Sequence, residues 1–182
     1  MPAPFQGLTV LAYAGFIAVP YCTRLLGDLG ARVVKVEQPG VGDPARGWGP
    51  FPGDLPDREQ SGLFLFLGAN KKSITLDPAL ATGRDLFLRL AAGADVLVYE
   101  AMRFSEIRKV PEHRQYILDY HADTLLLGAQ AEEIGVPLLV LTHLIPAPTC
   151  DADEQAFVDD VRSGGYTGEV VVASDLTSVT LP

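Results

Sequence analysis

The sequence predicts an α/β fold in which a Rossmann-like, mostly parallel sheet is flanked by helices. Short apolar runs rich in β-branched residues recur along the chain, and helical segments bounded by Gly and Pro separate most of them. The clearest run is Val96-Leu-Val98, which follows a Gly93-Ala94-Asp95 turn and precedes a helical segment. Such a continuous apolar run is typical of a buried strand in a parallel sheet.

The same pattern predicts strands along the whole chain, and the last two are expected to form an antiparallel hairpin that turns at Ser174-Asp-Leu176. Pro20 fits the first turn of a helix after the first strand, and Gly30 is placed to end that helix in the left-handed conformation. The apolar segment Ser61–Leu67 fits either a short helix or a strand. The predicted strands are 8–12, 32–37, 71–76, 95–99, 137–142, 169–173 and 177–181.

The composition is that of a globular chain and argues against some functions. A length of 182 residues is enough for a hydrophobic core, and 48% apolar with 20% charged residues is ordinary. The net charge of −9 argues against nucleic-acid binding, which depends on Lys and Arg. No signal peptide is visible, and no apolar run approaches the ~18 residues of a membrane span. The sequence therefore predicts a cytoplasmic protein whose Cys22 and Cys150 are reduced thiols.

Three groups of motifs in the first half occur in the order found in a known family. Over about residues 5–98 the chain resembles the family III CoA-transferases of the CaiB/BaiF type. The resemblance implies a Rossmann-like domain in an interlocked dimer, and an enzyme that moves CoA between carboxylic acids or racemises acyl-CoA esters. The motifs are Pro20-Tyr-Cys-Thr-Arg-Leu-Leu-Gly-Asp-Leu-Gly-Ala31 with Val34-Lys-Val-Glu37, Gly42-Asp-Pro-Ala-Arg-Gly-Trp-Gly-Pro50, and Asn70-Lys-Lys-Ser-Ile-Thr-Leu-Asp77 with Gly83-Arg84.

The resemblance also implies where CoA would lie. The turn after the first strand would contact it, and nearby side chains would help to hold its phosphates, because N–H groups at a helix start and cations suit phosphate. Alternatively, Lys71 and Lys72 form a solvated strand edge, and Arg46 with Trp48 anchors a Gly/Pro-rich loop. The implied contact residues are Phe16, Ile17, Ala18, Arg46, Asn70, Lys71 and Lys72.

The chain departs from the family pattern at three places. Val19 stands where the family usually has Gly beside the CoA-facing turn, and Tyr99-Glu-Ala-Met-Arg-Phe104 replaces the family's Glu-Asn-Phe-Arg-Pro-Gly after Val98. The motif that carries the family's catalytic aspartate is not found in this sequence. We therefore expect a protein that handles CoA or acyl-CoA but is incomplete as a CoA-transferase, and whether it is an active enzyme stays open.

A second resemblance covers about residues 92–181, to the C-terminal part of metallo-β-lactamase-fold hydrolases of the ribonuclease Z and arylsulfatase-like branch. It implies that His143 is a zinc ligand. It also implies that Glu100 and His121, the catalytic candidates, form a pair that helps to protonate a leaving group. The stretches that carry it are Ala94-Asp-Val-Leu-Val-Tyr-Glu-Ala101, His121-Ala-Asp-Thr124, Leu139-Val-Leu-Thr-His-Leu144 and Gly168-Glu-Val-Val-Val-Ala-Ser-Asp-Leu176.

Zinc is nevertheless not expected at His143. A hydrolytic zinc site needs about three protein ligands, and the motifs that supply most of them in the resembled family do not occur here. The chain has three histidines, of which His113 lies in none of the required contexts. His143 is therefore interpreted as a strand-end histidine, and His121 as a residue at a helix start.

The two resemblances meet within residues 90–100, which predicts a segment 1–98 of one kind and a segment 99–182 of another, either as two domains or packed as one. The preferred function is that of a CoA-transferase-like protein. The alternatives are a metal-dependent hydrolase fragment and a non-catalytic fusion or interaction protein. A family III segment without its usual dimer partner would expose apolar patches, so a homo-oligomer is expected. The expected partner is CoA or acyl-CoA, with no nucleic acid and no membrane.

Overall fold

The chain forms two compact units, Met1–Leu90 and Ala91–Pro182, each built on a small parallel sheet. A computed structural model describes residues 2–119 and 121–180. The boundary between the units lies inside the stretch 90–100 where the two sequence patterns meet. The strand at Val96–Met102 therefore belongs entirely to the second unit.

The first unit has a three-stranded parallel sheet in the order β1-β2-β3, with Thr9 beside Arg32 and Val33 beside Lys71. Helix α1 connects β1 to β2, as parallel neighbours require. Gly30 follows the end of α1 with φ +102°, which confirms its predicted left-handed conformation. The elements are β1 Thr9–Ala12, α1 Ala18–Asp28, β2 Arg32–Glu37, α2 Gly62–Gly68, β3 Lys71–Thr75 and α3 Ala81–Ala91.

The second unit has another three-stranded parallel sheet, in the order β4-β5-β6. Asp123 caps α5 by accepting a hydrogen bond from Leu125 N at 3.2 Å, and Gly135 ends that helix with φ +73°. The elements are β4 Val96–Met102, α4 Phe104–Ile107, α5 Thr124–Ile134, β5 Leu138–Ile145, α6 Asp151–Ser163 and β6 Glu169–Val172.

The core of the second unit lies between its sheet and the helices α5 and α6. It contains Leu127, Leu139, Leu141 and Phe157, each at most 1% exposed. A methyl group added at Gly128 on α5 would lie 2.2 Å from the carbonyl oxygen of Val161 on α6. The two helices therefore approach each other at a point where only glycine fits.

The predicted α/β class with parallel sheets and flanking helices is confirmed, but two details of the prediction, the number of sheets and the C-terminal hairpin, are wrong. The strands form two separate sheets rather than one. Residues 173–180 form no strand, and β6 runs parallel to β5, so the predicted antiparallel hairpin does not exist among the described residues; Leu181 lies outside them. For the apolar segment after Ser61 the sequence allowed a helix or a strand, and the structure shows a helix, capped by the Ser61 hydroxyl, which accepts a hydrogen bond from Phe64 N. None of the helices in the described parts of the chain is both long and apolar enough to cross a membrane.

The close approach of α5 and α6 makes a stability prediction. The substitution Gly128→Ala should lower the free energy of unfolding by about 1–3 kcal/mol, because its methyl group would overlap a main-chain carbonyl that cannot rotate away. Urea denaturation followed by circular dichroism measures this change. Gln130→Ala, at an exposed position of the same helix, is the control and should change stability by less than about 0.5 kcal/mol. Equal stability of G128A and the native chain would contradict the packing described here.

Candidate functional site

The turn between β1 and α1 is held by the loop that follows β2. Phe16 has φ +70° at this turn, and its N–H donates to Oδ1 of Asp43 at 3.0 Å. The same oxygen accepts a hydrogen bond from Ala45 N at 2.7 Å. A methyl group added at Gly15 would lie 2.6 Å from Pro44 Cδ, so the loop packs directly against the turn. One aspartate thus fixes both the loop and the turn that precedes α1.

Asp43 belongs to a buried cluster of charges at the end of β2. Its Oδ2 forms an ion pair with the ammonium group of Lys35, and both side chains are at most 4% exposed. Glu37 accepts hydrogen bonds from Asp43 N at 2.9 Å and from Ser73 Oγ at 2.7 Å. Buried charges are costly unless they are paired and hydrogen-bonded, so each member of the cluster depends on the others.

Arg46 completes this cluster. Its Nε and Nη2 donate to the two carboxylate oxygens of Glu37 at 2.8 and 3.1 Å, and its Nη1 donates to Glu59 at 2.7 Å. The guanidinium group also lies 3.7 Å from the ring centre of Phe64. Arg46 is therefore bound by two carboxylates and anchors its loop. This agrees with the alternative interpretation of Arg46 as a loop anchor, since its guanidinium group is already paired.

The hydrogen bonds around Glu37 change its pKa. Burial alone would raise the pKa of this carboxyl group, but hydrogen bonds from Arg46, Ser73 and the main chain of Asp43 outweigh burial and lower the pKa from 4.5 to about 2. Glu37 is therefore charged in the folded protein at all but strongly acidic pH.

The start of α1 has the features of an anion site. Among the described residues, no acidic side chain lies in its first turn, and Ile17 at the cap position gives it no side-chain hydrogen bond. Lys71 reaches this turn and donates from Nζ to the carbonyl oxygen of Pro20 at 2.5 Å. Burial, and after it the nearby Lys35, lower the pKa of Lys71 to about 8. A cation thus contacts the first turn of α1, the turn whose N–H groups form the positive end of the helix dipole.

The structure separates the other predicted phosphate ligands from this turn. Lys72 is exposed and next to Lys71 on β3, and neighbouring residues of a strand point to opposite faces of the sheet. Asn70 donates from Nδ2 to Asp28 Oδ1 at 2.6 Å, so it lies at the C-terminal end of α1. The helix has 11 residues and is roughly 16 Å long, which places Asn70 far from Phe16, Ile17 and Ala18. Only Lys71 of this group reaches the turn.

Sequence reasoning missed Lys35, Glu37 and Asp43 as parts of the site. Their signal was present, since Lys35 and Glu37 alternate with valines in the predicted strand 32–37 and would share one face of the sheet. Two charged residues on one face of a strand beside apolar neighbours need partners, and the loop beginning at Gly42 supplies Asp43 and Arg46.

A second group of polar side chains lies in the second unit. Nδ1 of His121 is hydrogen-bonded to Oε2 of Glu100, and the ring centres of His121 and His143 are 5.3 Å apart. Glu100, His121 and His143 each offer one metal-binding atom, and these atoms all lie within 4.8 Å of one another. The fold therefore brings two further possible metal-binding groups, Glu100 and His121, beside His143.

The comparisons with known proteins agree on one family. The model of CoA-transferase family III matches residues 5–111, which is more than half of the chain. The chain therefore belongs to CoA-transferase family III. The match continues past residue 98, where the first resemblance was expected to end.

Curated relatives and a solved structure extend this result. The chain is 35% identical over 149 residues to succinyl-CoA:mesaconate CoA-transferase from Haloarcula hispanica, covering 82% of this chain and 37% of the relative. It is 40% identical over 98 residues to formyl-CoA:oxalate CoA-transferase from Escherichia coli, covering 54% and 23%. It is similar to the crystal structure of a CAIB/BAIF family protein from Brucella suis, with a TM-score of 0.51 and 31% identity, covering 78% and 33%.

The chain thus spans between about a quarter and somewhat more than a third of the length of these relatives. An alignment over 149 residues necessarily includes residues beyond 98, so the family likeness extends into the second unit. These comparisons give no support to the resemblance between the second half and metallo-β-lactamase-fold hydrolases.

The charge cluster gives a first prediction for the site. Lys35→Met should lower the free energy of unfolding by about 3–5 kcal/mol, because it leaves the buried Asp43 carboxylate without its cation. The single tryptophan, Trp48, lies in the same loop and reports the transition by fluorescence during urea denaturation. Lys72→Met, at an exposed position of β3, is the matched control and should have little effect. Similar losses in both variants would mean that the Lys35–Asp43 pair does not stabilise the loop.

The pKa of Glu37 gives a second prediction. A carboxyl group whose pKa is lower in the folded state stabilises the fold above its unfolded pKa, and this contribution is lost as the pH falls. Glu37 should therefore contribute roughly 3 kcal/mol at neutral pH, lost between about pH 4.5 and pH 2. Denaturation midpoints from Trp48 fluorescence across this range should fall more steeply for the native chain than for Glu37→Gln. Glu59→Gln, which removes only the exposed partner of Arg46, should keep the native slope.

Proposed function

We propose that this chain binds the phosphate-bearing part of CoA or acyl-CoA at the turn between β1 and α1. Membership of CoA-transferase family III supports a CoA-type ligand. The observation that carries the location is the combination of the uncapped start of α1 with the Lys71 ammonium group at the same turn. N–H groups at a helix start together with a cation favour phosphate binding.

Phe16, Ile17 and Ala18 form the turn that the ligand would contact. The Phe16 N–H is already bound by Asp43, so this residue contributes its exposed aromatic ring rather than its N–H group. The ring lies 5.4 Å from the exposed Trp48 ring, and the two together offer an apolar, aromatic surface beside the turn. Lys71 is the cation of the proposed site, and Arg46 positions the loop that carries Trp48.

The proposed activity is that of a CoA-transferase-like protein, in which this chain supplies a CoA-binding part. The similar proteins named succinyl-CoA:mesaconate and formyl-CoA:oxalate CoA-transferase support an acyl group derived from a carboxylic acid.

The exposed apolar side chains on α1 and α2 support the predicted homo-oligomer, because such groups are usually covered by a partner. They are Tyr21, Leu25, Leu65 and Phe66. The cytoplasmic location stays a prediction.

Titration calorimetry with CoA tests the proposed site. CoA should bind to the native chain, and Lys71→Met should weaken binding by about tenfold or more, since one hydrogen bond between charged groups contributes roughly 1.5–3 kcal/mol. Lys72→Met, which removes the neighbouring but exposed cation, should leave the affinity nearly unchanged. Pantetheine, which lacks the phosphates of CoA, should bind much more weakly than CoA.

The affinity for CoA should also depend on pH. Because the pKa of Lys71 is about 8, the side chain loses its charge as the pH rises through 8, and CoA should bind progressively more weakly above that pH. Lys71→Arg keeps the charge and should flatten this dependence. No binding of CoA by the native chain, or equal losses in K71M and K72M, would refute the proposed site.

A further inference from the structure

A cluster of one carboxylate and two imidazoles in the second unit lies apart in sequence from the proposed CoA site. Glu100 is on β4, His143 is on β5, and His121 lies just before α5. Their three candidate donor atoms are within 4.8 Å of one another. From this geometry we propose that Glu100, His121 and His143 form a binding site for a divalent transition-metal ion of the zinc class.

Main-chain contacts hold His121 beside Glu100. Ala122 N donates to Glu100 Oε1 at 2.9 Å, while Glu100 Oε2 is bonded to His121 Nδ1. Met102 N donates to the carbonyl oxygen of Ala122 at 2.9 Å, and Met102 and Asp123 form a parallel β-bridge. The segment that carries His121 is therefore attached to the end of β4 at several points, which limits the entropy that metal binding must overcome.

An irregularity in β5 brings His143 to the same place. Glu100 pairs with Thr142 and Met102 pairs with Ile145, so β5 has one residue more than β4 across this step. His143 is one of the two residues of β5 between Thr142 and Ile145, where β4 has one. It has φ +48°, which is uncommon for residues other than glycine. In a regular strand, His143 would point to the face opposite that of Thr142. The bulge allows its ring to approach His121, and bulges commonly redirect side chains in this way.

The donor set fits the chemistry of the zinc class. Imidazole nitrogen and carboxylate oxygen are common zinc ligands, and three protein ligands with one further position describe an open zinc site. Ligands at about 2.0–2.1 Å from a tetrahedral metal are roughly 3.4 Å apart, so donors within 4.8 Å need only small side-chain movements. The side chains of His121 and Glu100 are 15% and 27% exposed, and His143 is exposed, so an ion can reach the site from solvent.

His121 also lines a cavity of about 360 Å³, which the cluster therefore adjoins. The cavity wall includes the aromatic rings of Tyr99 and Phe104 and the apolar side chains of Leu118 and Leu126. A metal bound by three protein groups keeps a position for water or another ligand. The cavity would give a small, partly apolar molecule room beside that position.

The test is titration of the full chain with Zn²⁺ by calorimetry after treatment with a chelator. Cys22 and Cys150 are exposed thiols that could bind zinc independently, so the experiment uses the background C22S/C150S. One Zn²⁺ per chain should bind, and Co²⁺ at the same site should give the visible absorption of a low-symmetry, four- or five-coordinate centre. Glu100→Gln and His121→Ala should each weaken binding by about 10–100-fold, as should His143→Asn.

Two variants keep the result interpretable. Asparagine adopts positive φ more readily than most residues, so His143→Asn removes the imidazole without straining the backbone of β5. His113→Ala removes the remaining histidine, which is exposed and outside the cluster, and should leave zinc binding unchanged. No saturable binding below the millimolar range would overturn the proposal, and so would binding that H113A weakens as much as H143N. Neither outcome bears on CoA binding, because the proposed CoA site lies in the first unit.

Discussion

The buried ion pair between Lys35 and Asp43 is the interaction on which the site in the first unit depends. Lys35 lies on the central strand of the sheet. Asp43 lies in a loop whose regular secondary structure consists of two short 3-10 turns. Once Asp43 is fixed, its other oxygen accepts from both Phe16 and Ala45, so the turn before α1 and the loop are positioned together. The conformation of the turn therefore depends on a charge buried in the sheet.

Glu37 and Arg46 also hold the loop that carries Asp43. A lone buried carboxylate would tend to take up a proton, whereas Glu37 receives enough hydrogen bonds to stay charged. Its charge in turn holds Arg46 in a bidentate pair, and Phe64 covers the guanidinium group. The arginine in the Gly42–Pro50 motif therefore contributes to the stability of the loop. Lys71, whose amine donates a hydrogen bond to the main-chain carbonyl of Pro20 and, among the described residues, forms no ion pair with a carboxylate in the cluster around Glu37, is the cation better placed for a ligand.

Much of the fold could be predicted because strands and helices leave local signals. The predicted strands at 8–12, 32–37, 71–76, 95–99, 137–142 and 169–173 all correspond to strands of the structure. The pairing of those strands depends on contacts distant in sequence, so the pattern could not show that they form two sheets. The predicted last strand, 177–181, has alternating residues but no neighbour to pair with among the described residues. The roles of Arg46 and Lys71 likewise depend on which carboxylates lie nearby, and the local sequence does not encode this.

The two candidate sites follow one topological rule. Parallel strands place their carboxyl ends at the same edge of a sheet, and polar groups tend to gather there. In the first unit the turn after β1 meets the loop after β2, and in the second unit Glu100 and His143 lie in the carboxyl-terminal halves of β4 and β5. The family model, however, matches only residues 5–111, so it includes Glu100 but neither His121 nor His143. The alignment with the relative from Haloarcula hispanica covers 149 of the 182 residues and therefore necessarily includes all three residues of the cluster. Whatever the cluster binds, its geometry arises from the bulge in β5 and the attachment of the His121 segment to β4 in this particular chain.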